Sequence, residues 1–111
     1  MFNRILPGIA ALLLAAPALA QTAPLPEGAI RAGTLSNQIL IRDTLPHIII
    51  KAQTQGCTEP QGADPFVKAD PSGAVGQRQW QEIWVIRCSN QSYPVAVTFR
   101  ESPTGAYYTI H

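Results

Sequence analysis

The amino-acid sequence predicts an α+β fold: one helix packed on a three- to four-stranded antiparallel meander sheet and closed by one disulfide. Three observations carry that expectation. Large apolar residues alternate with polar ones in the C-terminal third, the pattern of strands with one buried face. A stripe of apolar residues at helical spacing precedes them. Two cysteines lie beyond an N-terminal stretch that has the layout of an export signal.

That stretch is residues 1–20. It has one early charge at Arg4, an apolar run from Ile5 to Leu14, and then Ala15-Ala16-Pro17-Ala18-Leu19-Ala20. Charged, apolar and small-residue regions in this order describe a cleavable signal peptide with an A-x-A site at Ala18/Ala20, and Ala16-Pro17-Ala18 offers a second cut. A membrane anchor needs about 20 apolar residues; this run is shorter and holds Pro7 and Gly8. No cysteine lies near either cut, so no lipid attachment is expected, nor any membrane insertion after cleavage. Export to the periplasm or secretion follows as the expected localisation.

Residues 21–34 carry Pro24, Pro26, Gly28 and Gly33 without periodicity and read as a flexible N-terminal arm, leaving 35–111 as a single domain. The stripe Leu45, Ile48, Ile49, Ala52 predicts a helix over about 45–55. Asp43 or Thr44 caps its start, Pro46 falls in the first turn, and Gly56 suits the C′ position. Residues 35–42 offer an earlier helical turn or two.

Residues 58–65 read as loop, 66–70 as a short strand, and Asp70-Pro71-Ser72-Gly73 as a turn. Strands are expected over about 78–88, 93–101 and 106–110. With 89–92 as the connecting loop, Cys88 faces Tyr93, Ile86 faces Val95, Trp84 faces Val97 and Glu82 faces Phe99. With 102–105 as the next loop, Phe99 faces Tyr108 and Val97 faces Ile110. Both registers put the large apolar residues on one face, for the helix to cover. The other face (Gln81, Ile83, Val85, Arg87, Ala96, Thr98, Arg100, Tyr107, Thr109) suits solvent.

Cys57 and Cys88 read as one disulfide tying helix to sheet; a zinc site with His47 and His111 matches no ligand spacing. Beyond the signal, seven Lys/Arg balance seven Asp/Glu with no basic run, which argues against nucleic acid and anionic membrane surfaces as partners.

The run Trp80-x-Glu82-x-Trp84-x-x-x-Cys88, followed by the apolar strand Tyr93 to Phe99 and preceded by Cys57, resembles a group of small, uncharacterised exported bacterial proteins. The resemblance covers about 57–111. It implies the disulfide-bonded fold and carries over no catalytic residue; Ser89 stands where the group often has Gly.

Trp80, Glu82 and Trp84 share one face of a strand. They are either core aromatics around a carboxylate or an aromatic platform for a sugar or peptide, with the structural reading favoured. Glu82 on an apolar face needs partners: a basic side chain (Arg42, Arg31 or Lys51) or backbone N–H groups near the helix or arm. His47 lacks a nucleophile motif beside it, Asp64 and Asp70 lack calcium-loop spacing, and Gly56, Gly62, Gly73, Gly76 and Gly105 form no phosphate cradle. No catalytic, metal or cofactor residue is therefore assigned. The expected role is a small periplasmic or secreted non-enzymatic module that binds a protein or envelope component. The alternatives are an inhibitor of an envelope or extracellular hydrolase, presenting 58–65 or 89–92, and a small hydrolase using Glu82.

Overall fold

A computed structural model describes residues 24–111; the expected signal peptide over 1–20 lies outside the described residues. In chain order the elements are β1 (Arg31–Ala32), α1 (Gln38–Thr54), β2 (Pro60–Ser72), β3 (Gln79–Cys88), β4 (Ser92–Ser102) and β5 (Gly105–Ile110). They form one antiparallel sheet of order β1-β2-β3-β4-β5, with α1 against β3, β4 and β5. The α+β class and the single disulfide stand. Among the described residues the sheet has five strands instead of three or four.

The difference begins in β2, which takes in residues 60–65 of the expected loop 58–65 and residues 70–72 of the expected turn 70–73. Pro60, Pro65 and Pro71 look like turn punctuation, but a proline is tolerated at a sheet edge or a bulge. β2 meets only the two residues of β1 on its outer side, and its pairing with β3 shifts register between Pro60/Gly62, Val67/Ala69 and Ala69/Ser72. The actual turn follows Gly73. There Gln77 N–H donates to the Ala74 carbonyl at 2.8 Å, and Gly76 takes the positive φ (86°) of the third position of a type II turn.

Helix α1 starts seven residues earlier than the expected residue 45. Asn37 caps it, its side-chain oxygen accepting from Leu40 N–H at 2.9 Å. Asp43 and Thr44 are therefore interior, and Pro46 sits mid-helix, where it removes a hydrogen bond and costs about 3 kcal/mol. What carries the helix through is its buried stripe, Leu40, Thr44, Ile48 and Ala52. The Thr44 hydroxyl within it donates to the Leu40 carbonyl at 2.6 Å, so burial leaves no polar atom unpaired there. Gly56 ends the helix as expected. Its N–H donates to Gln53 and that of Cys57 to Ala52, a Schellman pair that requires the left-handed C′ residue (φ 118°).

The β3–β4 register differs from the expected one by two residues: Ile86 faces Tyr93, Trp84 faces Val95, Glu82 faces Val97 and Trp80 faces Phe99. The pairing closes at Arg87 and Ser92, with Cys88 N–H donating to the Gln91 carbonyl, so the four-residue connection is 88–91. A slip of two preserves parity, and every side chain keeps its expected face. The β4–β5 register is the expected one, Phe99 to Tyr108 and Val97 to Ile110.

The second face is less open than the sequence implies. Ile83 is buried there opposite Phe66. The residues before β1 lie across it, with Gly28 over the side chains of Ile83 and Lys68; the chain then joins the sheet edge, where Ile30 N–H donates to Val67 and Gly33 N–H to Pro65. Residues 31–32, expected within an arm of no regular structure, are β1 itself.

Cys57 and Cys88 are bonded, with Cα atoms 5.6 Å apart, joining the end of α1 to the end of β3. Among the described residues no helix is long and apolar enough to cross a membrane.

Candidate functional site

Glu82 is fully buried at 0% exposure, between Trp80 and Trp84 on the helix-facing side of β3. Strand alternation puts residues i−2 and i+2 on the same face, so both indoles flank the carboxylate. Trp80 Nε1–H donates to Oε2 at 2.8 Å and Trp84 Nε1–H to Oε1 at 2.9 Å. Two more donors come from the segment that rounds the sheet edge into α1. The Thr34 hydroxyl donates to Oε1 at 2.7 Å, and Leu35 N–H to Oε2 at 2.9 Å. Thr34 Oγ1 in turn accepts from Ser36 N–H at 3.0 Å.

The expected backbone partner is thus present, and the expected basic one is not. Arg31 binds Asp70 instead (2.6 Å), and neither Arg42 nor Lys51 reaches the carboxylate. Two accepted bonds per oxygen fill a carboxylate's capacity. Trp80 also stacks on Phe99, ring centroids 5.3 Å apart. The three residues brought together here clasp the crossover segment to the sheet, and neither indole offers a face to a ligand. The two tryptophan donors are not among the partners expected for Glu82 from the sequence, although the W-x-E-x-W spacing carries them.

Two further polar clusters fix connections. Asn90 donates to the Gly56 carbonyl at 3.0 Å and to Tyr93 Oη at 2.8 Å, and accepts from Thr58 N–H at 3.3 Å, lacing the β3–β4 connection to the end of α1 beside the disulfide. Glu101 accepts from Arg78 Nε and Nη2 at 2.9 and 2.7 Å, and from the N–H groups of Gly76 and Arg78. The Arg78 guanidinium holds the Glu101 carboxyl down at about 2, below its ordinary 4.5. Its stabilising contribution is therefore complete above about pH 4.5 and lost as pH falls through about 2. The difference in urea midpoint between the parent and Glu101→Gln should be constant near neutrality and shrink to nothing across that window. A difference that does not change with pH would contradict the assignment.

Among the described residues no group of three or more His, Cys, Asp or Glu side chains is placed to hold a metal ion. His47 packs edge-on against Tyr108 at 5.8 Å, and His111 Nε2 pairs with Thr98 Oγ1 at 2.8 Å. Asp64 binds Arg87 at 2.8 Å, and Gly62 leaves the room that the Arg87 guanidinium occupies.

What sequence reasoning missed is the outer edge of β5. His111 N–H donates inward to Ala96, so by alternation Gly105, Tyr107 and Thr109 also point their N–H and C=O groups at β4. Ala106, Tyr108 and Ile110 point theirs outward, and among the described residues no strand pairs with them. Beside this edge runs a flank of α1 that forms two hollows with it. One, of about 160 Å³, is lined by Ile39, Asp43, Gly105 and Ala106; the other, of about 340 Å³, by His47, Ile50, Lys51 and Ile110. Ile39 and Ile50 are 62% and 56% exposed. The signal lay in the composition of GAYYTI, a strand without charge or proline.

Compared with known proteins, the chain matches no family model, no curated protein and no solved structure.

Proposed function

We propose that this chain is a small exported, non-enzymatic module that binds a protein or envelope component, and that it docks through the open edge of β5. The observation that carries the reading is the unguarded edge. Sheet edges are ordinarily protected by shortness, prolines, bulges or charges. The opposite edge has all of these, in two-residue β1 with Arg31 and in bulged, proline-bearing β2 with Lys68. β5 has none over its six residues, and it borders exposed isoleucines. Such an edge accepts another strand by main-chain hydrogen bonding, with side-chain hollows adding selectivity.

The export reading is supported by the leader-like composition of residues 1–20 and by a disulfide, a bond of oxidising compartments. The alternatives have less behind them. A hydrolase using Glu82 would need a carboxylate with a free oxygen. An inhibitor presenting 58–65 would need a loop where β2 is paired, and the 88–91 connection has Ser89 and Asn90 turned onto residues 56–58.

A photo-crosslinking residue at Tyr107, exposed beside the edge, should give a discrete adduct in cells; the same residue at Val75, on the far turn, should not. Equal or absent adducts at both positions would overturn the docking surface.

A further inference from the structure

We infer that the strand received by β5 is β5 of a second copy of this chain, paired antiparallel across a twofold axis to make one continuous ten-stranded sheet. The inference rests on the reading of β5 as a docking edge and deepens it by naming the occupant.

Charge is distributed unevenly along the edge. Helix α1 runs beside β5, and the two hollows sit at opposite ends of the strand. The hollow at Gly105 and Ala106 contains Asp43; the hollow at Ile110 contains Lys51. Between them Tyr108 is held against the helix, packing on His47 and donating its hydroxyl to the Asp43 carbonyl at 3.3 Å. Asp43 and Lys51 are about 12 Å apart along the helix at 1.5 Å per residue. Ala106 and Ile110 are about 13 Å apart along the strand at 3.3 Å per residue. The two spacings match.

A twofold axis beside Tyr108, perpendicular to the sheet, therefore sets Ala106 against Ile110 of the partner subunit and the Asp43 hollow against the Lys51 hollow. Each copy presents a negative end to the other's positive end, twice, as an isologous interface requires. Neither Asp43 nor Lys51 is in an ion pair within the described chain. The same operation puts both helices on one face of the joined sheet, antiparallel and flank to flank. The exposed Ile39 and Ile50 flanks then face each other, which supplies the apolar burial that strand hydrogen bonds alone lack. The outward N–H and C=O groups of Ala106, Tyr108 and Ile110 all find partners.

The test is a charge exchange on the purified, disulfide-bonded protein, read by analytical ultracentrifugation. The parent should form dimers. Asp43→Lys alone sets Lys against Lys, and Lys51→Asp alone sets Asp against Asp, so each should weaken association on the order of tenfold or more. Mixing the two variants restores opposite charges at both contacts, and the mixture should dimerise again, as expected when position 43 of one copy meets position 51 of the other. Ala106→Pro removes an outward N–H while leaving the β4–β5 ladder intact, and it should also yield monomers. Amide exchange adds a second readout, with Ala106, Tyr108 and Ile110 protected in the dimer and unprotected in the Ala106→Pro monomer.

A parent that stays monomeric at every concentration overturns the second copy as occupant. If Tyr107 adducts to another protein then persist and are lost in Ala106→Pro, the docking edge stands and only the occupant is wrong. A dimer indifferent to Ala106→Pro and to both charge reversals forms elsewhere, and overturns the inference as well.

Discussion

Replacing Glu82 with Gln is expected to destabilise the fold by about 2–4 kcal/mol, since each buried donor left unpaired costs about 1–3 kcal/mol. The change is isosteric, so it isolates hydrogen bonding from packing. Glutamine has one oxygen and an NH₂ group, whereas all four groups around position 82 donate. With the NH₂ at the Oε2 position it meets Leu35 N–H and Trp80 Nε1–H, neither of which can accept. At the Oε1 position it meets Trp84 Nε1–H and the Thr34 hydroxyl, and only the hydroxyl can turn to accept. The second orientation costs less, yet it still strands the Trp84 indole. Thr34→Val removes a single donor and should cost roughly 1 kcal/mol. Urea unfolding orders the three proteins, and the two indole N–H resonances should shift in Glu82→Gln. Unchanged stability with loss of partner binding would instead make Glu82 a ligand-contacting residue.

The same cluster shows where the sequence was legible. Strand alternation is a local property, so Trp80, Glu82, Trp84, Val97 and Phe99 could be put on one face without knowing the register. The two-residue slip between β3 and β4 then left that face unchanged. The turn was not legible to one residue, because Ser92 suits a loop or a strand start equally well. The partners of Glu82 were legible in part. A buried carboxylate demands donors, and backbone N–H groups near the arm are among those the sequence offers. The supposition of a basic partner failed because two indoles at i−2 and i+2 already supply half the capacity, leaving room for a hydroxyl and one N–H.

Prolines misled in both long elements. Pro46 reads as a helix start and Pro65 as loop because each is locally unfavourable in a regular element. What overrides that preference is non-local. Leu40 and Thr44 extend the buried stripe of α1 upstream of Pro46, and β2 tolerates its prolines because almost nothing pairs with its outer side. Burial of Ile83 was illegible for the same reason, since it depends on the residues before β1, Gly28 among them, lying over that face. The predicted meander already ends on the β5 strand; what only the sheet order shows is that, among the described residues, no other strand returns to its outer side.

Removing the disulfide is the second large effect. Cys57→Ala/Cys88→Ala should cost about 3–4 kcal/mol by the chain-entropy model for a loop of this size (sequence separation 31). For a domain of this length that is a fall of roughly 15–25 °C in Tm. The native geometry has a second set of ties at the same place: Asn90 to Gly56, Thr58 and Tyr93, and Ser89 N–H to the Thr58 carbonyl at 2.8 Å. The cross-link therefore acts mainly by restricting the unfolded chain, and the folded variant should keep its β3–β4 register and its amide shifts away from residues 56–58 and 88–91. A variant whose shifts change throughout β3 while Tm falls little would show the opposite, a bond that shapes the native state. Glu82 and Cys88 are six residues apart on β3, about 20 Å at 3.3 Å per residue, with no shared partner. Their losses should add to within about 0.5 kcal/mol. The triple variant then loses about 5–8 kcal/mol, comparable to the whole stability of a domain this small. It should be largely unfolded at 25 °C, while either change alone leaves a folded protein.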